Sequence, residues 1–201
     1  MKKVWNLVMK QFGFTVLAAV LLVCATSCGD DEDKATIEIK ITVENGASYN
    51  AVVDEIKAVV SNHEVENIVA SGKYANGEFT VMLPETIPSE YLYTPEYSTL
   101  GITVSPPTVK IGELVFGGFK NGEPVPYWLY CYKETADLTV YAEYFYANSD
   151  ATIKGTYSAV TWNISLKKGW NKIYTYVEDS GNKVTYNNQD PGNLKWKFEG
   201  Q

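Results

Sequence analysis

The sequence predicts an all-β protein: an antiparallel β-sandwich of immunoglobulin or transthyretin type, with about nine or ten short strands. Three observations carry this expectation. Apolar and polar residues alternate over short runs, the period of a half-buried strand. The runs are punctuated by turn signals such as Asn76-Gly77 and Asp190-Pro191-Gly192-Asn193. No long segment repeats at helical spacing. The 201 residues are 45% hydrophobic and 20% charged, the balance of a globular chain rather than a disordered one.

Taken in order, Thr36 to Val43 alternates: Ile37, Ile39, Ile41 and Val43 on one face, Glu38, Lys40 and Thr42 on the other. Asn45-Gly46 ends it. The stretch from Val52 to Val60 fits a helical stripe or a strand, and a strand over 55–61 is the favoured reading. Glu78 to Leu83 is a strand that Pro84 stops. The segment 84–112 is rich in proline (Pro84, Pro88, Pro95, Pro106, Pro107) and reads as a long loop with one edge strand at Gly101–Ser105. Strand signal returns at Leu114–Phe119, Tyr127–Lys133, Leu138–Tyr146, Thr152–Leu166 with an interruption, Asn171–Glu178, Lys183–Tyr186 and Leu194–Phe198. Lys167-Lys168-Gly169 reads as a hairpin turn in which Gly169 is left-handed. One domain over 36–201 is expected, with a possible sub-boundary near residue 100.

The N-terminus reads as an address. Lys2, Lys3 and Lys10 precede an apolar run, Phe12 to Val23, which is too short to span ~30 Å of hydrocarbon. Ala25-Thr26-Ser27-Cys28 follows and resembles the bacterial lipobox, in which the Cys is lipidated. Residues 1–27 are then a lipoprotein signal peptide, Cys28 the lipidation site, and 28–35 an acidic tether (Asp30, Asp31, Glu32, Asp33) that cannot pack against itself. The expected location is the outer membrane, with the chain lipid-anchored and displayed at the surface.

All 17 basic residues are lysine, against 24 acidic ones. Removing the three lysines of the signal leaves 14 − 24 = −10, which speaks against a nucleic-acid partner. One His and three Cys provide neither a multi-His metal centre nor a disulfide framework. Cys131 in WLYCY reads as a buried small hydrophobe.

Two segments, YANGEFTVMLPETIPSEYL (Tyr74–Leu92) and ISLKKGWNKIYTYV (Ile164–Val177), resemble stretches recurring in uncharacterised Bacteroidetes surface lipoproteins. The terminal NLKWKFEG with Trp196 looks similar to the same group. The resemblance implies a fold and a compartment. It brings no catalytic residue.

The sequence offers little catalytic machinery. His63 is the only histidine and sits in a polar stretch. No nucleophile elbow, phosphate loop or zinc motif is present. No catalytic residue, metal site or cofactor is expected, and the chain is read as not an enzyme. Paired carboxylates can still hydrolyse glycosides, and Glu85, Glu90, Glu96, Glu113, Asp137 and Glu143 are available. The stronger pattern is aromatic. If a hairpin closes around Glu134–Asp137, Tyr130 opposes Tyr141 and Trp128 opposes Glu143. Parity puts Tyr127, Leu129, Cys131, Val140, Ala142, Tyr144 and Tyr146 on one face, a candidate core. Trp128, Tyr130, Tyr132, Tyr141, Glu143 and Phe145 share the other. That face is either a second buried face or a stacking platform for sugar rings, with Trp128, Tyr130, Tyr132, Tyr141 and Glu143 as ligand-binding candidates. The functional expectation is a non-enzymatic binding or accessory module, with a glycan or another surface protein as partner. A fimbria-like adhesive subunit and a glycoside hydrolase are the alternatives.

Overall fold

The computed structural model describes residues 36–62, 65–96, 101–178 and 181–200. Cys28, the signal peptide, the acidic tether and His63 lie outside the described residues. The described chain is all-β and sandwich-like, with no α-helix. It has thirteen strands rather than nine or ten: β1 Thr36–Thr42, β2 Glu55–Ser61, β3 Glu66–Lys73, β4 Glu78–Pro84, β5 Thr103–Ser105, β6 Ile111–Lys120, β7 Glu123–Glu134, β8 Leu138–Ala147, β9 Ala151–Tyr157, β10 Val160–Leu166, β11 Gly169–Glu178, β12 Lys183–Asn187 and β13 Lys195–Gly200. Residues Ala35–Gln201 cluster as one compact unit.

Strands β1 and β4 form a two-stranded antiparallel sheet. The rest form one large sheet in the order β3-β2-β6-β7-β8-β11-β12-β10-β9-β5, with β13 beside β7. The small sheet lies over one face of the large one. Ile41, Phe79, Val81 and Leu83 from the small sheet meet Ile56, Val60, Leu114, Phe116, Leu129 and Tyr146 there. The alternation legible in Thr36–Val43 is realised only in part. Ile41 and Val43 are buried, while Ile37 is 42% exposed.

On the opposite face, strands far apart in the sheet order meet. Ile111 of β6 and Ile173 of β11 cluster with Ile153 of β9, Ile164 and Leu166 of β10, and with Ile102 and Val109 of the proline-rich segment. Such a cluster requires the sheet to curl toward that face, the direction in which a long twisted sheet closes. The segment 84–112 therefore does not hang free. Ile87 and Leu92 enter the first core and Ile102 and Val109 the second. Its one strand, Thr103–Ser105, pairs antiparallel with β9 at the sheet edge.

Several local expectations hold. The ambiguous 55–61 stretch is strand β2. Gly169 has φ +98°, the conformation its turn demands. Its turn is nevertheless not a hairpin. Strand β12 inserts between β10 and β11, pairing antiparallel with β11 and parallel with β10. The turn thus joins two strands that are not paired with each other, and a side chain holds it. Asn171 Nδ2 donates to the Lys167 and Gly169 carbonyls at 2.7 and 2.9 Å, and its Oδ1 accepts from Lys167 N–H at 2.8 Å.

Two strands differ from the sequence reading for identifiable reasons. Strand β3 carries Ile68, Val69 and Ala70 in a row, because a register shift between Ala58 and Val59 skips Val69 in the pairing and breaks the alternation. Strand β7 begins at Glu123, despite Pro124 and Pro126. Strand β13 pairs with β7 from Tyr132 to Tyr127, and among the described residues no strand pairs with that side of β7 before Tyr127, where proline's missing N–H costs nothing.

Candidate aromatic site

The parity split of β7 and β8 is real. Leu129, Tyr146, Cys131, Val140 and Ala142 are buried in hydrophobic clusters, and Tyr127 and Tyr144 pack against them. Cys131 is 5% exposed, and burial pushes its thiol up to about 11, so it is inert filler at neutral pH. Trp128, Tyr130, Tyr132 and Tyr141 belong to none of these clusters and are half-buried. Phe145, on the same face, packs into the second core instead.

The register departs from expectation. Tyr132, not Tyr130, opposes Tyr141, because the turn closes through Thr135 N–H to the Leu138 carbonyl at 2.8 Å. A shift of two residues leaves every side chain on its face. Trp128 does not oppose Glu143 either. Strand β6 pairs with β8 through Ile111–Leu114 and with β7 through Phe116–Lys120, splitting the two strands apart. Trp128 lies between Gly117 of β6 and Glu199 of β13. Its indole rests on Gly117, where an added Cβ would sit 3.4 Å from Cζ3.

Tyr132 and Tyr141 are neighbours, with ring centroids 5.6 Å apart and planes tilted by 34°. Burial pushes the Tyr130 and Tyr132 hydroxyls up to about 12, with the Glu199 carboxylate adding to both and Glu113 to Tyr130. Tyr141 is raised by burial, with Glu199, Glu134 and Glu143 adding to it. These phenols therefore stay protonated at neutral pH and can each donate and accept.

Of the six acids considered, Glu85, Glu90, Glu96 and Asp137 are exposed and scattered. Glu113 of β6 and Glu143 of β8 come together on the aromatic face. Burial is the main cause raising both. The Glu113 charge adds to the effect on Glu143, whose carboxyl rises to about 8 although Thr175 Oγ1 donates to its Oε2 at 2.9 Å. Each residue as a whole is half-buried, so it is the carboxyl ends, set among Tyr130, Tyr141 and Thr175, that lose their water. Two carboxylates in such a place cannot both ionise cheaply.

Sequence reasoning named Tyr132, Tyr141 and Glu143 but could not choose Glu113 from among six acids. It missed Thr175, Tyr186 and Trp162. Alternation places Thr175 opposite in parity to the core residues Tyr174 and Tyr176, yet only the sheet order sets it between Tyr141 and Tyr186. Two lysines beside the site are engaged: Lys197 Nζ lies 3.0 Å and Lys195 Nζ 3.7 Å from the Glu44 carboxylate, and Lys197 Nζ also lies 5.1 Å from the Tyr132 ring centroid. Among the described residues, no group of three or more His, Cys, Asp and Glu is arranged to hold a metal ion.

No known family matches the chain, and neither a curated protein nor a solved structure matches it.

Proposed function

We propose that this chain is a lipid-anchored surface protein whose sandwich domain binds a glycan on the aromatic face of β7 and β8. One observation carries the binding half. On the same two strands, Tyr127, Leu129, Cys131, Val140, Ala142, Tyr144 and Tyr146 of one parity are in or against a hydrophobic core, while Trp128, Tyr130, Tyr132 and Tyr141 stand outside all of them, half-exposed. Aromatic rings left partly in water beside hydroxyls and carboxyls suit the two sides of a sugar: its C–H face and its polar edge. The anchoring half is supported by the sequence alone, through the basic start, the short apolar run and Ala25-Thr26-Ser27-Cys28.

The binding experiment is retention on polysaccharide affinity gels. Trp128→Ala and Tyr141→Ala are each expected to cost about 2 kcal/mol of binding, roughly 30-fold, while lowering the melting temperature only slightly. A stability loss of ~3–5 kcal/mol with unchanged retention would instead make these rings core. For the anchor, intact mass is expected to show an acylated N-terminus at Cys28, and Cys28→Ala to abolish partitioning into detergent. An unmodified chain starting at Met1 would end that reading.

The Glu113–Glu143 pair favours a second reading, glycoside hydrolysis. A carboxylic acid held protonated near neutrality is the general acid that reaction needs, with a second carboxylate as its partner. Release of reducing ends from a bound polysaccharide, lost in Glu143→Gln, would select it over simple binding.

A further inference from the structure

Residues paired directly across neighbouring strands share a face, so the ladder registers can be followed from strand to strand. Starting at β7, Tyr132 pairs with Tyr141 of β8, Tyr141 with Thr175 of β11, Thr175 with Tyr186 of β12, and Tyr186 with Trp162 of β10. Five consecutive strands thus place four aromatic rings in one row, all half-buried, interrupted by one small residue. The rings form two pairs. Tyr132 and Tyr141 are 5.6 Å apart, and Trp162 and Tyr186 are also 5.6 Å apart with planes only 6° from parallel. Thr175, 5% exposed, makes the low floor between the pairs, its hydroxyl committed to Glu143. The row borders the second core: Ile164 and Ile173 lie two residues from Trp162 and Thr175 on the same face.

We propose that the glycan taken by this site is a linear, uncharged, extended chain that lies across the strands and bridges the Tyr132–Tyr141 pair and the Tyr186–Trp162 pair. The proposal rests on the glycan reading of the aromatic face. From β7 to β10 there are four inter-strand steps of ~4.8 Å, about 19 Å, far longer than one sugar. One sugar of an extended pyranose chain advances by about one such step. In an equatorially linked chain successive rings are turned over, so every second sugar offers the same face. Tyr141 and Tyr186 are separated by two steps, the spacing of two sugars that offer like faces. Single rings cannot use both pairs, so affinity grows with chain length until both are occupied. The charge of the ligand follows from its surroundings. Glu113, Glu143 and Glu199 line the face, and among the described residues the two lysines of β13 beside Tyr132 are paired with Glu44, Lys197 also lying over the Tyr132 ring, so the face favours a neutral polymer over an anionic one.

The test is calorimetric titration of the protein with cello-, xylo- and manno-oligosaccharides of two to six units, with malto-oligosaccharides and oligogalacturonates as coiled and anionic controls. Affinity for at least one extended neutral series is expected to rise about tenfold or more between two and four or five units and then level off. Trp162→Ala is expected to remove that gain. Because Trp162 packs against a core, its indole N–H resonance in the unmodified protein, assigned with Trp162→Phe, supplies a second readout. It is expected to shift with the tetrasaccharide and not with the disaccharide. Binding that does not depend on length, preference for the coiled or anionic series, or a silent Trp162 resonance would overturn this proposal and leave the glycan reading standing. No binding by any sugar would remove both.

Discussion

Gly72→Ala is expected to prevent folding, or to cost more than about 4 kcal/mol, in thermal or urea unfolding. Gly72 lies in β3 where the edge of the large sheet passes beneath β4 of the small one. A Cβ built there would fall on the Thr80 carbonyl, with Val81 Cγ1 3.1 Å away. Neither neighbour can yield. Thr80 is paired with Lys40 across the small sheet, and Val81 is fully buried in the first core. Backbone rather than a side-chain tip blocks the space, so the strands would have to part. Gly122→Ala is the control. Gly122 has φ +83° but nothing within 4 Å, so its cost is conformational only, about 1 kcal/mol. A Gly72 variant melting within a few degrees of the unmodified protein would mean that β3 and β4 do not cross as described.

Glu143→Gln is expected to stabilise the protein at alkaline pH and to flatten its pH–stability curve. Burial lifts the Glu143 carboxyl to about 8 in the fold, whereas an unfolded chain releases that proton near ~4.3. Between these values the native state holds the proton more tightly than the unfolded state does. Stability is therefore full below the unfolded value, declines as pH rises, and levels off above the folded one. Each pH unit in that window costs up to about 1.4 kcal/mol, so the total is on the order of a few kcal/mol. Glutamine keeps the shape and an oxygen for the Thr175 hydroxyl, and it removes the charge. Melting temperatures of the two proteins should agree near pH 4.5 and diverge steadily toward pH 8.5, the variant being higher. A residual slope from Glu113, raised by its own burial, should remain. Parallel curves would show that Glu143 is solvated in solution.

Much of this architecture is local and hence legible. Period-two alternation revealed the faces of β1, β7 and β8, and turn residues marked Asn45, Gly77, Gly169 and Gly192, all with positive φ. Some local signals were outweighed. Asn121-Gly122 is a strong two-residue hairpin signal and does join β6 to β7, but Pro124 and Pro126 beside it argue against a strand. The two are reconciled by the sheet order: among the described residues, no strand pairs with the outer side of β7 before Tyr127.

The aromatic face divides along the same line. That Trp128, Tyr130, Tyr132 and Tyr141 share a face opposite Leu129, Cys131, Val140 and Ala142 follows from the sequence by itself, because alternation depends on adjacent residues. A two-residue error in register does not disturb it. What stands beside those rings was decided by tertiary structure. The choice of Glu113 as the partner of Glu143, over the four acids left exposed elsewhere, follows from β6 wedging between β7 and β8. The continuation of the row through Thr175 to Tyr186 and Trp162 follows from β12 inserting between β10 and β11, with a parallel pairing that no turn signal announces. Strand order is settled by which apolar faces can be buried together across the whole chain, here by the curl that closes the second core. That competition among distant segments leaves no trace in any one of them.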